Sequence, residues 1–346
     1  MEHLIPQAFI DQQPTLVLLV LLTAGIAVLV KGAGWLVDGA VGLSERLGVP
    51  KVIIGATIVS LGTTTPEAAV SVMAAFQGMP DFALGNSVGS IICDTGMIFG
   101  ICCLLTRLPK DRFILNRHGW VQLGSGILLV VVSLLFWNAD RTAHVLPRFV
   151  GACFIVLLAG YLALSVQWAG QHKRHALGRV RHVDTARDRL PGRESMPKNV
   201  VLLVTGLAMV LVASRVSIET VQTLCQRWGV PPGIVAATLV AFGTSLPELA
   251  TAIASIRKGH RELLIGNIIG ADILNVLFVT GAAACAAPLT VDPLFYRLHF
   301  PAMIAVLVLF RAMMHLGKDS FARWPGILLL GLYVSYAAAN YIMVER

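Results

Sequence analysis

The chain has 346 residues, of which 56% are hydrophobic and only 13% are charged. A soluble domain of this length carries about a quarter charged residues, so the composition excludes an ordinary soluble protein. The net charge of +8 would suit a nucleic-acid partner only if the basic residues formed one patch. They are instead distributed between apolar segments, so we expect no nucleic-acid partner.

Ten segments are long and apolar enough to cross a bilayer, since one crossing takes about 20 mostly apolar residues. In chain order they are 15–36, 50–76, 81–106, 119–138, 146–168, 199–224, 231–256, 262–286, 298–315 and 324–343. The predicted fold class is therefore an all-α polytopic membrane protein with ten transmembrane helices and the lipid bilayer as its surroundings.

Lys and Arg are unevenly shared between the two sides that ten crossings create. With the N-terminus outside, 20 of the 27 Lys and Arg residues fall in inside segments and five in outside segments. This is the positive-inside pattern, and it predicts a bacterial inner-membrane protein with both termini outside. The most basic run, "QHKRHALGRVRHVDTARDRLPGR" at 171–193, is predicted to be the cytoplasmic link between helices five and six, with anionic-lipid binding as an alternative role.

The six cysteines are scattered and show no CxxC spacing. In apolar segments a thiol is usually a small packing residue. The sequence therefore predicts neither a disulfide framework nor a thiolate metal site.

The chain contains an internal repeat. A shift of 181 residues, without a gap, superposes "GVP" at 48–50 on 229–231 and brings "GT", "PE" and "GN" of the two halves into register. Over residues 48–100, 18 of 53 positions are identical. The predicted organisation is a first five-helix repeat at 1–168, a basic linker at 169–198 and a second repeat at 199–346, with the motifs at 48–106 and 229–287.

Because each half holds five helices, the second half must cross the membrane in the opposite direction to the first. Inverted repeats with Gly- or Pro-interrupted helices at matching places are typical of secondary transporters, whose site lies at the repeat interface near the midplane. The architecture favours an alternating-access carrier.

The repeated motif places polar groups on one helix face. In "SLGTTTPE", Thr63 and Thr64 lie three and four residues after Ser60, and Glu67 lies four and three residues after them. These spacings place all four side chains on one face of a helix. Pro66 has no backbone N–H and should kink or unwind the preceding turn, freeing carbonyl oxygens. The second copy presents Ala241, Thr244, Ser245 and Glu248, and Ala241 could contribute only its carbonyl.

A second polar stripe follows in the next helix of each half. The first copy contains Asn86, Ser90 and Asp94 four residues apart, and the second contains Asn267, Ala271 and Asn275. Glycines beside both stripes, at 85, 89, 266 and 270, permit close approach of helices.

The converging groups are all oxygen donors, which select hard cations such as Ca²⁺, Mg²⁺, Mn²⁺ or Na⁺. Ca²⁺ tolerates irregular shells of 6–8 oxygens and suits the set better than octahedral Mg²⁺. The carboxylates of Glu67, Glu248 and Asp94 carry a charge of −3 if all are ionised, which is enough to hold one Ca²⁺ or to be balanced by three Na⁺. Competition for them would couple the two ions. The alternatives are a protonated Glu that packs against a neighbouring helix, and hydroxyls that bond only to their own helix.

These motifs resemble the paired α-repeats of the cation/calcium antiporter superfamily, above all its prokaryotic sodium/calcium exchangers. The resemblance covers nearly the whole chain and rests on "GATIVSLGTTTPE" with "GNSVGSIICDTG", and on "AATLVAFGTSLPE" with "GNIIGADILNVLFVTG". It implies transport with no resident cofactor and a site built from the following residues: Glu67, Glu248, Asp94, Thr63, Thr64, Thr244, Ser245, Ser60, Ala241, Ser90 and Asn275. Asn86 and Asn267 complete the predicted set as members of the polar stripes.

The chain departs from that family pattern in two places. Asp94 and Asn275 exchange the positions at which the exchangers usually carry Asn and Asp, and Ala271 replaces a serine. The resemblance also implies that helices one and six slide across a fixed core of eight helices.

The sequence thus predicts an antiporter that exports Ca²⁺ against Na⁺ entry, and not an enzyme. The nearest rival is H⁺-coupled exchange of Ca²⁺ or another divalent cation. A cation channel is the second rival, since rings of Glu also serve channels. A membrane-embedded enzyme is the third, although HExxH, G-x-S-x-G and Walker A motifs are absent from the sequence.

Overall fold

The computed structural model describes residues 10–136, 144–180, 195–229, 243–315 and 320–344. The described part is mostly helical, and its helices, named here in chain order, are α1 (Thr15–Leu47), α2 (Lys51–Thr63), α3 (Thr65–Phe76), α4 (Pro80–Leu105), α5 (Arg112–Leu135), α6 (Arg148–Val180), α7 (Met196–Arg227), α8 (Leu246–Arg257), α9 (Arg261–Ala286), α10 (Phe295–His315) and α11 (Trp324–Val344).

Eight of these helices are long and apolar enough to cross a membrane, and the bent pair α2 and α3 makes a ninth span if it is counted as one. They coincide with nine of the ten predicted segments. Part of the remaining segment, 231–256, lies outside the described residues, and only its second half is seen, as α8. Helices α6 and α7 also extend into the range 169–198 that was predicted as a linker, since α6 continues to Val180 and α7 begins at Met196.

The predicted break before Pro66 is confirmed. Helices α2 and α3 meet at Thr64 and are bent by 42°, and Pro66 occupies the first turn of α3, where its missing N–H costs nothing. The second copy begins α8 in the same way. Ser245 has φ −84° and ψ 8°, nearly the values of Thr64 (φ −84°, ψ −4°), and Pro247 follows in the first turn.

Four of the described helices contain a π-helical turn, which the sequence did not predict. These turns are Gly55–Val59 in α2, Ile92–Ile98 in α4, Asn275–Thr280 in α9 and Phe295–His299 in α10. A π-turn widens the helix locally and often marks a functional site. Here two of the four carry a predicted site residue, Asp94 or Asn275.

Helices α4 and α9 form the centre of the molecule. In the most apolar window of α9, 94% of the residues are buried, and in α4 83% are buried, against 28% in both α1 and α7. Helix α3 packs against the π-turn of α9, and α8 packs against the π-turn of α4. Each broken helix therefore contacts the central helix of the other half.

A small antiparallel sheet joins the loops at one end of the bundle. Residues His144–Leu146 pair with Leu289–Val291, with Val145 opposite Thr290. The prediction of an all-α fold is corrected to this extent. A strand of three residues is too short to show a clear period of two in the sequence.

Glycines bring α9 against α2 as predicted, whereas a Cβ on Gly85 of α4 would come no closer than 3.8 Å to a described atom and one on Gly89 would meet none within 4 Å. A Cβ atom on Gly266 would lie 2.0 Å from the carbonyl oxygen of Val52, and one on Gly270 would lie 2.6 Å from the Cα of Ala56. Because the obstructing atoms belong to the backbone, a larger residue could be admitted only if the two helices moved apart.

We therefore expect Gly266→Ala to separate α2 from α9 and to lower the free energy of unfolding by about 1–3 kcal/mol, the usual cost of overpacking. Thermal unfolding of the purified protein in detergent would measure the change. Gly160→Ala is the matched control, because a Cβ on this exposed helical glycine would meet no described atom within 4 Å. Equal unfolding temperatures for the two variants would contradict the close contact.

Candidate cation-binding site

The two motif glutamates occupy equivalent places in the two halves. Glu67 lies in the first turn of α3 and Glu248 in the first turn of α8, each directly after its helix break. Both side chains are 1% exposed. The positive end of a helix dipole stabilises a carboxylate in the first turn, which offsets part of the cost of burying two acids in an apolar bundle.

The carboxyl groups face polar groups of the opposite half. The carboxylate of Glu248 lies near the hydroxyls of Thr63 and Thr64, and the carboxyl of Asp94 lies near the hydroxyl of Ser245. Glu67 is within range of direct electrostatic interaction with Glu248 and Asp94. The two copies of the motif thus meet at one place.

The oxygens of the predicted site residues are buried and largely without hydrogen-bond partners. Among the described residues, those without a partner are Glu67 Oε2, both carboxylate oxygens of Glu248, Asp94 Oδ1, Thr64 Oγ1, Ser245 Oγ, Ser90 Oγ, Asn86 Oδ1 and Asn275 Oδ1. Leaving one buried polar group unpaired costs about 1–3 kcal/mol, and a charged group more. A cation bound among these oxygens would supply the partner that the protein itself lacks.

The arrangement suits a hard cation held by mixed oxygen donors. Within the described residues, no three His, Cys, Asp or Glu side chains converge closely enough to hold a metal. Hydroxyl and amide oxygens must therefore complete any shell around the carboxylates. Such a shell fits Ca²⁺ or Na⁺ better than a metal that prefers sulfur or imidazole.

Some of the predicted ligands also make structural hydrogen bonds. Asn86 donates its amide to the carbonyl of Glu67 (3.3 Å) and to Ser71 Oγ (3.0 Å). Asn267 Oδ1 lies 3.4 Å from the hydroxyl oxygen of Thr63, which donates to it. Both amides therefore hold the broken helices against their neighbours.

Ser60 is a predicted ligand, and its backbone carbonyl oxygen is engaged within its own helix. It accepts bonds from the backbone N–H of Thr64 (2.8 Å) and the hydroxyl of Thr63 (3.3 Å), because the helix continues for one more turn before it breaks. Its repeat partner Ala241 lies outside the described residues. Thr244, directly before Ser245, takes part in an interaction of its own.

Repeat comparison did not find Asp272. This aspartate of α9 is 1% exposed and aligns with Ile91 in the first repeat, so a search for residues present in both copies passes over it. Its neighbours Thr95 and Gln122, also buried, were missed for the same reason. The signal that could have found it is simpler, since a carboxyl within a membrane span is functional by default.

The family to which the chain belongs follows from comparison with known proteins. The profile of the Sodium/calcium exchanger protein family matches residues 17–167 and 198–342. This chain belongs to that family.

Full-length relatives support the assignment. The chain is 32% identical to Inner membrane protein YrbG of Escherichia coli, over 94% of this chain and 98% of the relative. It is 27% identical to Sodium/calcium exchanger MaX1 of Methanosarcina acetivorans, over 91% of this chain and 96% of the relative.

The fold is also that of a solved exchanger. The structure matches the sodium-calcium exchanger NCX_Mj, soaked with 10 mM Na⁺ and zero Ca²⁺, with a TM-score of 0.78 and 23% identity, over 94% of this chain and 99% of that one. This exchanger-family chain is accordingly an integral membrane protein, and its relative MaX1 is named as an exchanger, which is a transporter and not an enzyme.

The partner-free oxygens predict that Ca²⁺ stabilises the folded protein. At a free concentration one hundred times its dissociation constant, a ligand adds about 2.7 kcal/mol to the free energy of unfolding. We expect Ca²⁺ to raise the unfolding temperature of the wild type and to have little effect on Glu248→Gln, which lacks one of the two central carboxylates.

Glu262→Gln provides the control for this experiment, because it makes the same substitution at an exposed position on α9. It should respond to Ca²⁺ as the wild type does. A Ca²⁺ shift of equal size in Glu248→Gln would show that the ion binds elsewhere.

Proposed function

We propose that this family member exchanges Ca²⁺ for Na⁺ across the membrane by alternating access, with Glu67 and Glu248 as the central ligands. The observation that carries the proposal is the cluster of buried, partner-free oxygens contributed by both halves of the chain. A structural core satisfies its polar groups internally. In a transport site, polar groups stay without a protein partner so that they can bind the transported ion.

Charge explains why one site can couple two ions. Ionised Glu67, Glu248 and Asp94 can be balanced by one Ca²⁺ with one further positive charge, or by three Na⁺. Because these carboxylates serve either ion, occupancy by one excludes the other. The fold match to an exchanger soaked with Na⁺, and the relative named a sodium/calcium exchanger, favour these ions.

The ligand assignment follows the availability of oxygen atoms. Beside the two glutamates, Asp94, Thr64, Ser245, Ser90, Asn275 and Asn86 each present an oxygen without a partner and form the proposed inner shell. Thr63 lies near Glu248 and Thr244 belongs to the same motif, so both stay in the proposed set, together with the backbone at Ser60 and Ala241. Asn86 and Asn267 support the shell by holding α3 and α2 in place.

We further propose the ten-helix architecture of two inverted halves, 1–168 and 199–346, with the link 169–198 in the cytoplasm and both termini outside. The reciprocal packing of α3 on α9 and of α8 on α4 supports it, because a pseudo-twofold relation exchanges these two contacts.

Helices α1 and α7 are suited to be the moving pair. A Cβ on Gly206 would lie 2.3 Å from the backbone nitrogen of Leu36, and one on Gly39 would lie 2.4 Å from that of Leu203. The two helices are thus in backbone contact and can move as one body. Both are peripheral, so sliding them across the buried centre would disturb few core contacts.

The direct test is ⁴⁵Ca²⁺ uptake into proteoliposomes. Vesicles loaded with Na⁺ should accumulate Ca²⁺, whereas vesicles loaded with K⁺ or choline at the same pH should not. Glu67→Gln and Glu248→Gln should each reduce uptake to that of protein-free vesicles, since removing one charge from a buried charged cluster costs about 3–5 kcal/mol, which is more than a hundredfold in affinity.

Glu262→Gln should transport like the wild type. Uptake that ignores Na⁺ and follows an imposed pH gradient would replace Na⁺ by H⁺ as the coupling ion. Normal Na⁺-driven uptake by either central variant would refute the proposed site.

A further inference from the structure

Asp272 is the one buried carboxyl of the central helices that the proposed mechanism does not use. It lies on α9, three residues before Asn275, where the first repeat has Ile91. It therefore breaks the symmetry of the two halves. An unpaired carboxylate in a membrane-spanning helix costs roughly 2.5 kcal/mol or more, so its presence calls for a physical explanation.

Two side chains hold this carboxyl in a fixed orientation. Gln122 of α5 donates its amide to Oδ2 at 2.6 Å, and the hydroxyl of Thr95 in α4 donates to the same oxygen. The Gln122 amide nitrogen also lies 3.4 Å from Thr95 Oγ1. Donors on two other helices, α4 and α5, thus both bind one oxygen of Asp272.

The other carboxyl oxygen of Asp272 has no partner. Oδ1 is buried and makes no hydrogen bond within the described residues. Rotation of the carboxyl would sacrifice the two bonds to Oδ2, and charge-assisted bonds of this kind are about twice as strong as neutral ones. The fold therefore keeps Oδ1 available.

Asp272 stands at one end of a row of acids. Asp94 interacts electrostatically with both Glu248 and Asp272, and Asp272 interacts with Glu248, whereas the carboxyl neighbours of Glu67 are Glu248 and Asp94. Asp94 Oδ1 and Asn275 Oδ1 are also oxygens without a partner, and Asn275 follows Asp272 by three residues on α9, a spacing that places both side chains on one face of the helix. No described Lys or Arg forms an ion pair with any of these acids.

We propose that Asp272 Oδ1, together with Asp94 and Asn275, forms a second cation site, separate from the Glu67–Glu248 centre, that binds Na⁺. This inference rests on the proposed exchange function and names the place at which the driving ion acts.

The chemistry of the row favours a monovalent cation at this end. Only one oxygen of Asp272 is available, so it can bind a cation only in a monodentate manner, and few oxygens accompany it. Ca²⁺ requires 6–8 oxygens and often takes a carboxylate in bidentate fashion. Among the described residues no three His, Cys, Asp or Glu side chains lie close enough together to hold one metal ion, so a single cation would not engage all of these acids at once.

Asp94 and Asn275 would then belong to both sites. Na⁺ bound at the Asp272 end draws the Asp94 carboxylate away from a cation at the glutamates, which lowers the affinity of the centre for Ca²⁺. Binding of the driving ion would in this way weaken binding of the cargo before any helix moves.

The test separates Na⁺ from Ca²⁺ with Asp272→Asn, which preserves the shape of the side chain and removes its charge. Exchange of internal Ca²⁺ for external ⁴⁵Ca²⁺ requires no Na⁺ and should stay within about twofold of the wild type. The Na⁺ concentration that gives half-maximal Ca²⁺ release should rise at least about tenfold, the effect of about 1.4 kcal/mol. Asp292→Asn, the same change at an exposed position, should alter neither quantity.

A binding measurement without transport accompanies the fluxes. In detergent, NaCl but not choline chloride should raise the unfolding temperature of the wild type, and this rise should shrink in Asp272→Asn while the rise produced by Ca²⁺ persists. Gln122→Met, which removes one donor and leaves the carboxyl, is measured in the same way and decides the question if Asp272→Asn does not fold. It should weaken the response to Na⁺ more than the response to Ca²⁺.

Two results would overturn the proposal. One is that Asp272→Asn responds to Na⁺ and to Ca²⁺ as the wild type does, which would make Asp272 a purely structural residue. The other is that folded Asp272→Asn loses its responses to Na⁺ and Ca²⁺ to the same extent, which would place Asp272 in the Glu67–Glu248 centre. Failure of wild-type protein to exchange Na⁺ for Ca²⁺ would instead refute the proposed function, and the unfolding temperatures distinguish the two cases.

Discussion

The structure depends on the desolvation of a small group of oxygen atoms. Acids and hydroxyls from both halves of the chain are buried at the centre of an apolar bundle, and the protein supplies few donors to satisfy them. Burying charge without a counter-charge is among the most expensive arrangements available to a protein. A cation that binds among these oxygens and later leaves would supply the missing counter-charge. The destabilisation caused by the buried acids would then favour cation binding.

The rest of the fold serves to bring these oxygens together. Proline ends each broken helix so that a glutamate lies in the first turn of the next one, where the helix dipole favours its charge. Glycines let α9 approach α2 to backbone contact, and π-turns widen α4 and α9 where Asp94 and Asn275 lie. The lipid-exposed helices α1 and α7 contribute little to the site itself. The buried helices α4 and α9 are thus separate from the peripheral helices α1 and α7. This arrangement suits a carrier in which the binding groups stay in place while the access path changes.

Much of this arrangement could be predicted from the sequence because the same motif occurs in both halves of the chain. Segments of apolar residues located nine of the spans, and two aligned copies of Pro-Glu located both glutamates and the helix break. The same reliance on symmetry concealed Asp272, whose counterpart is Ile91. The positions of polar side chains along a helix also could not reveal which of them make structural hydrogen bonds. Asn86 and Asn267 share faces with candidate ligands but make structural bonds, and the carbonyl of Ser60 stays within its helix. Such distinctions depend on packing between distant segments, as does the short strand pair at 144–146 and 289–291.

The most direct measurement is the position of a bound divalent cation. Crystals soaked in Sr²⁺, an electron-rich substitute for Ca²⁺, would reveal it by anomalous diffraction. The account predicts one strong peak between the carboxylates of Glu67 and Glu248, within bonding distance of oxygens from both halves of the chain. A peak only at surface carboxylates, or at oxygens of one half alone, would contradict it.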